Sequence, residues 1–459
     1  MTRKLFLLTF TLLICSSATR AQKIKVYFNH PVNNTISTGV NAIYLNQQFD
    51  DTIKAYIDRA KYTLDIAVYN FGLGTSMANI AGAVNNAYNR GVVIRWIYNT
   101  SSSNNSIPNL DPNIQKLGSP TGINYGIMHN KFVVIDGNSL DINDPIVLTG
   151  STNWTDQQIN SDYNNLVIVQ DKSLALAYLT EFNEMWGSAT PIANQVLSKF
   201  GQYKTDNTPH QFTIDGKLVE LYFSPSDNTT QKLISKINAA QSSIYFGIYA
   251  FTDTNVSDAL TYKVQHDSLY VAGIMDQFSV NYTPYTALTP VMNNNLKVFN
   301  LPYIYHNKMM LIDACDANSD PMIFTGSHNW SVSADTKNDE NVLVIHDDTI
   351  ANLYYQAMYS DFQILNHTLA SCSQVTGLAA INDNSISFYP NPTNDQIKFT
   401  LNHKEQMIIS IYDHLGRKVK AQKGTFGDNI INVSELTPGI YFINGNDTRF
   451  IKTQKIVIQ

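Results

Sequence analysis

Cysteine is scarce: three in 459 residues, and one of them, Cys15, sits in an apolar leader. That excludes a disulfide scaffold and a Cys-rich metal centre. Cys315 and Cys372 remain, enough for one bridge between the loop after Asp313 and the end of the second half, or for two free thiols. Sequence does not choose between these. Long apolar runs are also missing. The one near the start, residues 5–14, falls well short of the roughly 20 residues that span a bilayer. With Arg3-Lys4 before it and small residues up to Ala18 and Ala21 after it, the start reads as a secretory signal peptide, residues 1–21. Basic charge is short as well. Residues 22–372 carry 19 Lys and Arg against 30 Asp and Glu, whereas residues 373–459 carry 9 against 7. A body this acidic lacks the broad basic surface behind nonspecific nucleic-acid affinity, although a local basic groove stays open. No group of His, Cys and carboxylates has metal-site spacing, so neither metal nor cofactor is expected.

What the chain does have, it has twice. Ile127-Met128-His129-Asn130-Lys131 returns as Ile304-Tyr305-His306-Asn307-Lys308. Asp136 and Asp313 each follow their histidine by seven residues, after an apolar run. A second apolar run leads to Gly150-Ser151-Thr152-Asn153-Trp154 and to Gly326-Ser327-His328-Asn329-Trp330. Chance does not repeat such an arrangement.

The surroundings repeat too. Helical spacing over residues 51–61 precedes a strand over 64–69, and Leu233, Ile234 and Ile237 precede a strand over 243–249. Each half continues with a helix and a strand, 78–89 with 92–98 and 256–264 with 269–275. Each closes with a strand and an amphipathic helix, 174–186 and 350–362. The alternation predicts an α/β fold of two pseudo-symmetric halves, with mixed sheets flanked by helices, over 22–190 and 218–366. Residues 191–217 read as the connection, with a short helix near 196–200, and residues 367–384 as a linker. Beyond it, short alternating strands separated by turns predict a small all-β sandwich over 385–459.

That last region resembles the type A sorting domain of the bacterial type IX secretion system, in Phe388-Tyr389-Pro390-Asn391-Pro392, Ile411-Tyr412-Asp413 with Leu415-Gly416, the run 436–441 and the run 452–458. The resemblance implies a partner, the type IX machinery, and a secreted or cell-surface location. The duplicated stretch resembles the phospholipase D superfamily, whose signature is His-x-Lys-x4-Asp followed by Gly-Ser-x-Asn. It implies that both histidines share one active site across a pseudo-twofold axis, in a chain expected to be a monomer.

The residue types suit phosphodiester cleavage. One imidazole is a competent nucleophile, and a second can protonate the leaving oxygen. By resemblance the catalytic set is His129, Lys131 and Asn153 with His306, Lys308 and Asn329, with Ser151 and Ser327 as further donors. His129 is assigned as nucleophile and His306 as acid and base. An acidic residue beyond Gly-Ser-x-Asn orients the opposite histidine in the family. Ten residues after each tryptophan stand Asn164 and Glu340, so Glu340 is expected on His129, while His306 lacks a carboxylate unless Asp162 supplies one. Asp136 and Asp313 are expected to stabilise their hairpins. The stretches 137–145 and 314–321, longer than the family's spacing and rich in Asp and Asn, read as solvated turns, with calcium binding or substrate gating as alternatives. His328 is a pocket candidate. The other histidines, His30 among them, read as ordinary surface or core residues. The expected substrate is a phospholipid at a membrane surface, with nucleic acid as the alternative and a catalytically silent binding module as the third reading.

Overall fold

The computed structural model describes residues 22–267, 269–316, 318–369, 388–401, 407–413, 417–447 and 450–459. The expected signal peptide, most of the expected linker, and Cys372 lie outside the described residues. Cys315 is disulfide-bonded.

Each half is built on an eight-stranded sheet. In spatial order the first runs Ile43–Tyr44, Ile24–Phe28, Asn165–Val169, Ile146–Gly150, Lys131–Ile135, Thr63–Val68, Val93–Tyr98 and Gln115–Gly118. Seven strands of the second repeat this order: Lys217–Ser224, Glu340–His346, Met322–Gly326, Lys308–Ile312, Ser243–Ile248, Tyr270–Asp276 and Leu296–Phe299. The pairing directions match as well: four antiparallel contacts, then two parallel ones. The halves differ at one edge, where Ile43–Tyr44 adds in parallel to the first sheet and Gln211–Ile214 in antiparallel to the second.

Strand alternation sends side chains to two cores. Phe132 and Val134 face the core shared by both halves, while Val133 and Ile135 face the outer core of the first half. The second half has its own outer core, around Phe246, Met310 and Trp330. The shared core is filled by two helices, Lys172–Trp186 and Asp348–Ile364. Asp171 and Asp347 start them by accepting from first-turn amides, and Gly187 ends the first in the left-handed region. The second helix is buried nearly all round, its polar Asn352, Gln356, Ser360 and Asp361 included. Two sheets with two helices between them put the carboxyl end of each parallel pair, and the histidine segments, where the halves meet.

The connection holds a short 3-10 turn at Gly201–Tyr203 rather than a helix at 196–200. Asn194 Oδ1 accepts from the amides of Val196 and Leu197 as a helix cap would, but with both of those side chains exposed nothing buries an apolar face there. In the carboxy-terminal domain, Gln396–Leu401 pairs with Gly427–Asn432, and Lys418–Gly424, Met407–Asp413, Gly439–Asp447 and Phe450–Ile458 form a four-stranded sheet. Ile397, Phe399, Ile409, Ile411, Ile443 and Ile456 fill the space between.

Candidate active site

The motif aspartates lie far from the histidines. Asp136 accepts from the amides of Lys61, Tyr62 and Thr63 at 2.9, 2.7 and 2.9 Å, and Asp313 from those of Gln241, Ser242 and Ser243. They tie each hairpin to the start of the neighbouring strand. The long turns after them share that end, a five-residue strand or about 16 Å from the histidine end. These turns therefore stand away from the histidines rather than over them, and among the described residues no metal-like cluster involves them.

At the other end the halves interlock. The amide of His129 donates to Asp339 O at 2.9 Å, and the amide of Asp339 to Ile127 O at 3.0 Å. In the second copy the amide of His306 donates to Tyr163 O at 3.0 Å, and that of Tyr163 to Ile304 O at 2.8 Å. The residues preceding each histidine are held by side chains as well. Asn338 and Asn99 accept from the amides of Ile127 and Met128 at 3.2 and 3.1 Å. Asp162 and Asp276 do the same for Ile304 and Tyr305 at 2.9 and 2.8 Å.

The middle asparagine of each motif completes the lock. Asn341 Nδ2 donates to Asn130 Oδ1 at 2.9 Å, and Asn165 Nδ2 to Asn307 Oδ1 at 2.9 Å. Asn341 Oδ1 accepts from Thr149 Oγ1 and Tyr178 OH, and Asn165 Oδ1 from Thr325 Oγ1 and Tyr354 OH. Every one of these groups is buried. The glycines of Gly-Ser-x-Asn make the fit possible: Gly150 and Gly326 have φ of 144° and 152°, and a Cβ on them would sit 2.3 and 2.2 Å from the carbonyls of Asn165 and Asn341.

The two histidines are then oriented differently. His129 Nδ1 lies 2.9 and 2.8 Å from the two oxygens of Glu340, across the half boundary. His306 Nδ1 lies 3.0 Å from Asn164 Oδ1. The Asn164 amide is fixed by its own bonds, Nδ2 to Gln158 O at 3.0 Å and Oδ1 from Ser151 Oγ at 2.9 Å. An amide oxygen and an ionised carboxylate only accept, so both rings carry their proton on Nδ1 and leave Nε2 for chemistry. Asp162 does not stand in for the missing carboxylate; Gln157, Gln158 and the amide of Ile304 occupy its oxygens.

Lys131 and Lys308 each donate to the carbonyl of their own histidine at 2.6 Å and lie over Tyr69 and Tyr249 at 5.3 and 5.2 Å. The same tyrosines pack on the imidazoles of His129 and His306 at 4.9 and 5.2 Å. Asn153 is buried with its Oδ1 unbonded, and Asn329 Oδ1 accepts from the amide of Ala250 at 3.3 Å. Trp154 and Trp330 pack on Phe71 and Phe251 and hold these asparagine loops against the strands that carry the tyrosines. Ser327 Oγ accepts from the amide of Asn341 at 3.0 Å, fixing the loop rather than facing the imidazoles. His328 is buried with neither ring nitrogen bonded.

Burial dominates the electrostatics. It pushes His129 down to about 4, against the pull of Glu340 and with the help of Lys131 and Lys308. His306 falls well below the ordinary imidazole value, by burial and then by Lys308, Lys131 and His129. Burial also lowers Lys131 to about 7 and holds Lys308 well down, with Lys131 adding to the effect. Burial alone would raise Glu340, but His129 and Lys131 outweigh it and keep the carboxyl ionised. Cationic groups from both halves thus act on one another in one dry site, with Glu340, among the described residues, as the carboxylate on the two motif imidazoles.

Several of these contributors escape a reading along the chain. Tyr69 and Tyr249 carried a signal, a tyrosine closing each copy of the same strand. The Asn341–Asn130 and Asn165–Asn307 bonds join residues 211 and 142 apart, and no local pattern shows them. His30 is a core residue with a specific place: it stacks on Tyr163 at 4.5 Å, with Nδ1 3.0 Å from Asp361.

Residues 387–459 match the secretion system C-terminal sorting domain, the type IX sorting module. A segment of 148 residues is 34% identical to the mitochondrial cardiolipin hydrolase of Drosophila melanogaster, covering 28% of this chain and 55% of that one. A segment of 144 residues is 30% identical to phospholipase D of Rickettsia prowazekii (strain Madrid E), covering 31% of this chain and 66% of that one. The chain thus spans between about half and two thirds of the length of these curated relatives. The crystal structure of phosphatidylserine synthase from Haemophilus influenzae superposes with a TM-score of 0.52 at 13% identity, over 77% of this chain and 88% of that one, which is a likeness of fold. Residues 53–186 and 233–362, one stretch in each half and together more than half of the chain, match the family described as cardiolipin synthase, PLD-like domain, and the chain belongs to that phospholipase D-like family.

Proposed function

We propose that the protein is an exported phosphodiesterase of phospholipase D type that hydrolyses phospholipids to phosphatidate and free head group through a phosphohistidine, and transfers the phosphatidyl group to small alcohols. The observation that carries this reading is the unequal backing of two buried imidazoles, a carboxylate on His129 and an amide on His306. His129 Nε2 attacks phosphorus and a P–N bond forms. The negative charge of the bound phosphodiester lets His306 take up a second proton on Nε2, and the P–O bond to the head group breaks as that proton passes to the leaving oxygen. The phosphorylated ring keeps its Nδ1 proton and is cationic, and Glu340 stabilises that charge at 2.8 Å. His306, now neutral, takes a proton from water or an alcohol, whose oxygen attacks phosphorus and frees His129. Lys131, Lys308, Asn153 and Asn329 surround the phosphoryl oxygens with donors. The sorting domain supports export to the cell surface or medium, with residues 1–21 as the signal peptide. Two of the curated relatives carry phospholipid-cleaving names, which supports a lipid substrate.

The test incubates the full chain in chelator with phosphatidylcholine, other phospholipids, and single- and double-stranded DNA. Released head group, and the phosphatidyl group trapped on His129 in wild type and His306→Ala but not in His129→Ala, is the expected result. DNA cleavage without head-group release from any lipid points instead to a nuclease, and no cleavage at all to a binding module.

A further inference from the structure

The two histidine segments are held by the same four contacts, but the residues that make them exchange charge for neutrality. On the His129 side the straps are the amides Asn99 and Asn338; on the His306 side they are the carboxylates Asp276 and Asp162. Both carboxylates are buried and bonded to backbone amides; among the described residues neither has a basic side chain within ion-pair distance, and Lys308 is the cationic group on which both act. Both lie close enough to act on the Tyr249 phenol, which burial raises first and Asp276 and Asp162 raise further.

An aromatic difference lies on the same side. The 3-10 turn Gln277–Asn281 is pinned to the strand end by Ser279, whose Oγ donates to Tyr249 O at 2.7 Å. Ser102 makes the equivalent bond to Tyr69 O at 2.7 Å, which fixes the correspondence of the two turns. One residue before these serines stand Phe278 in the second half and Ser101 in the first. Phe278 stacks on Tyr249 at 5.2 Å and packs on Tyr282 at 5.4 Å, so rings run from His306 outward, ending in side chains 43% and 38% exposed. The first half has polar residues at 101–103 in that place.

We infer that Phe278 and Tyr282, with Tyr249, Asp162 and Asp276 behind them, form a leaving-group subsite for a cationic amino alcohol such as choline or ethanolamine. This rests on the reading above, in which His306 protonates the leaving oxygen and the head group therefore lies on its side. The partly exposed ring faces of Phe278 and Tyr282 attract an ammonium, the buried carboxylates behind them add their field, and a ring face that is partly desolvated holds it more strongly than an exposed one. An anionic leaving group meets two carboxylates there and is disfavoured.

The experiment measures kcat/KM of the full chain on mixed vesicles for phosphatidylcholine, phosphatidylethanolamine and phosphatidylglycerol. The cationic head groups are expected to be preferred over glycerol by about tenfold or more. The ratio should collapse towards one in Phe278→Ala and Tyr282→Ala and return in Phe278→Trp, with KM carrying most of the change. Cleavage of all three lipids with a ratio near one, or a ratio unmoved by Phe278→Ala, overturns the subsite and leaves the phospholipase reading standing. Cleavage of no phospholipid, with DNA or a small diester still cut, removes that reading and the subsite with it.

Discussion

The two imidazoles have unlike partners, because Glu340 ends in a carboxylate and Asn164, one methylene shorter, ends in an amide. The consequence falls on charge. When Nε2 of His129 bonds to phosphorus the ring becomes cationic, and an ionised partner at 2.8 Å stabilises it far more than an amide does. Glu340→Gln should lower kcat by about 10²–10⁴-fold while binding of inorganic phosphate changes little, as single-turnover kinetics and calorimetry would show. An unchanged kcat would remove Glu340 from the mechanism. The reciprocal change acts on the other proton. A carboxylate on Nδ1 of His306 raises that ring's proton affinity, so Asn164→Glu should move the alkaline limb of the kcat profile to higher pH. A profile that moved only on its acid side would assign the acid role to His129 and reverse the order of the reaction.

The segments that carry these residues are short, and what holds them lies in the opposite half. Asn341 is the clearest case: replacing it by alanine strands Asn130 Oδ1 and the hydroxyls of Thr149 and Tyr178 in a dry interface. Asn341→Ala should cost about 1–3 kcal/mol by denaturant titration, and lose activity beyond that because the His129 segment loosens. A loss under about 0.5 kcal/mol would show that the lock contributes nothing. The neighbouring strap is charged. Lys204, in the connection, contacts Glu181 and Asp339 inside the protein, and Asp339 is the residue whose carbonyl holds His129. Lys204→Met leaves two buried carboxylates without a cation and should cost about 3–5 kcal/mol. These contacts also mark how far the sequence could be read. Strands and helices around each motif were legible because apolar spacing is local, and the duplication made the paired site legible without any contact being known. The edge strands Gln115–Gly118 and Lys418–Gly424 were not, since their residues are mostly polar and gain their ladder from a neighbour. Glu340 was legible through its fixed distance from Trp330; Asn341, one residue later, was not, because its partners lie in the other half.

On the scale of the molecule, the site is a concentration of basic groups in a body whose other charge is mostly acidic. Lys131, Lys308, His129 and His306 meet between the halves with Glu340 as the carboxylate on the imidazoles, and burial and mutual repulsion keep their protons away. All four bind protons less tightly folded than unfolded. Stability therefore increases with pH wherever the unfolded chain holds the extra proton: between about 4 and 6.5 for His129, and between about 7 and 10.4 for Lys131. A phosphate group reverses this, because its charge sits among the four and restores their affinity for protons. Binding of inorganic phosphate or tungstate near pH 8 should therefore take up about one to two protons. Calorimetry in buffers of different ionisation enthalpy reads that number as a slope. By the same linkage the anion should raise Tm more at pH 6.5 than at pH 9.5. Zero uptake, or an equal rise at both values, would mean that the lysines are already charged in the empty site. The phosphoryl group would then meet a fixed cationic cradle rather than assemble one by drawing protons in.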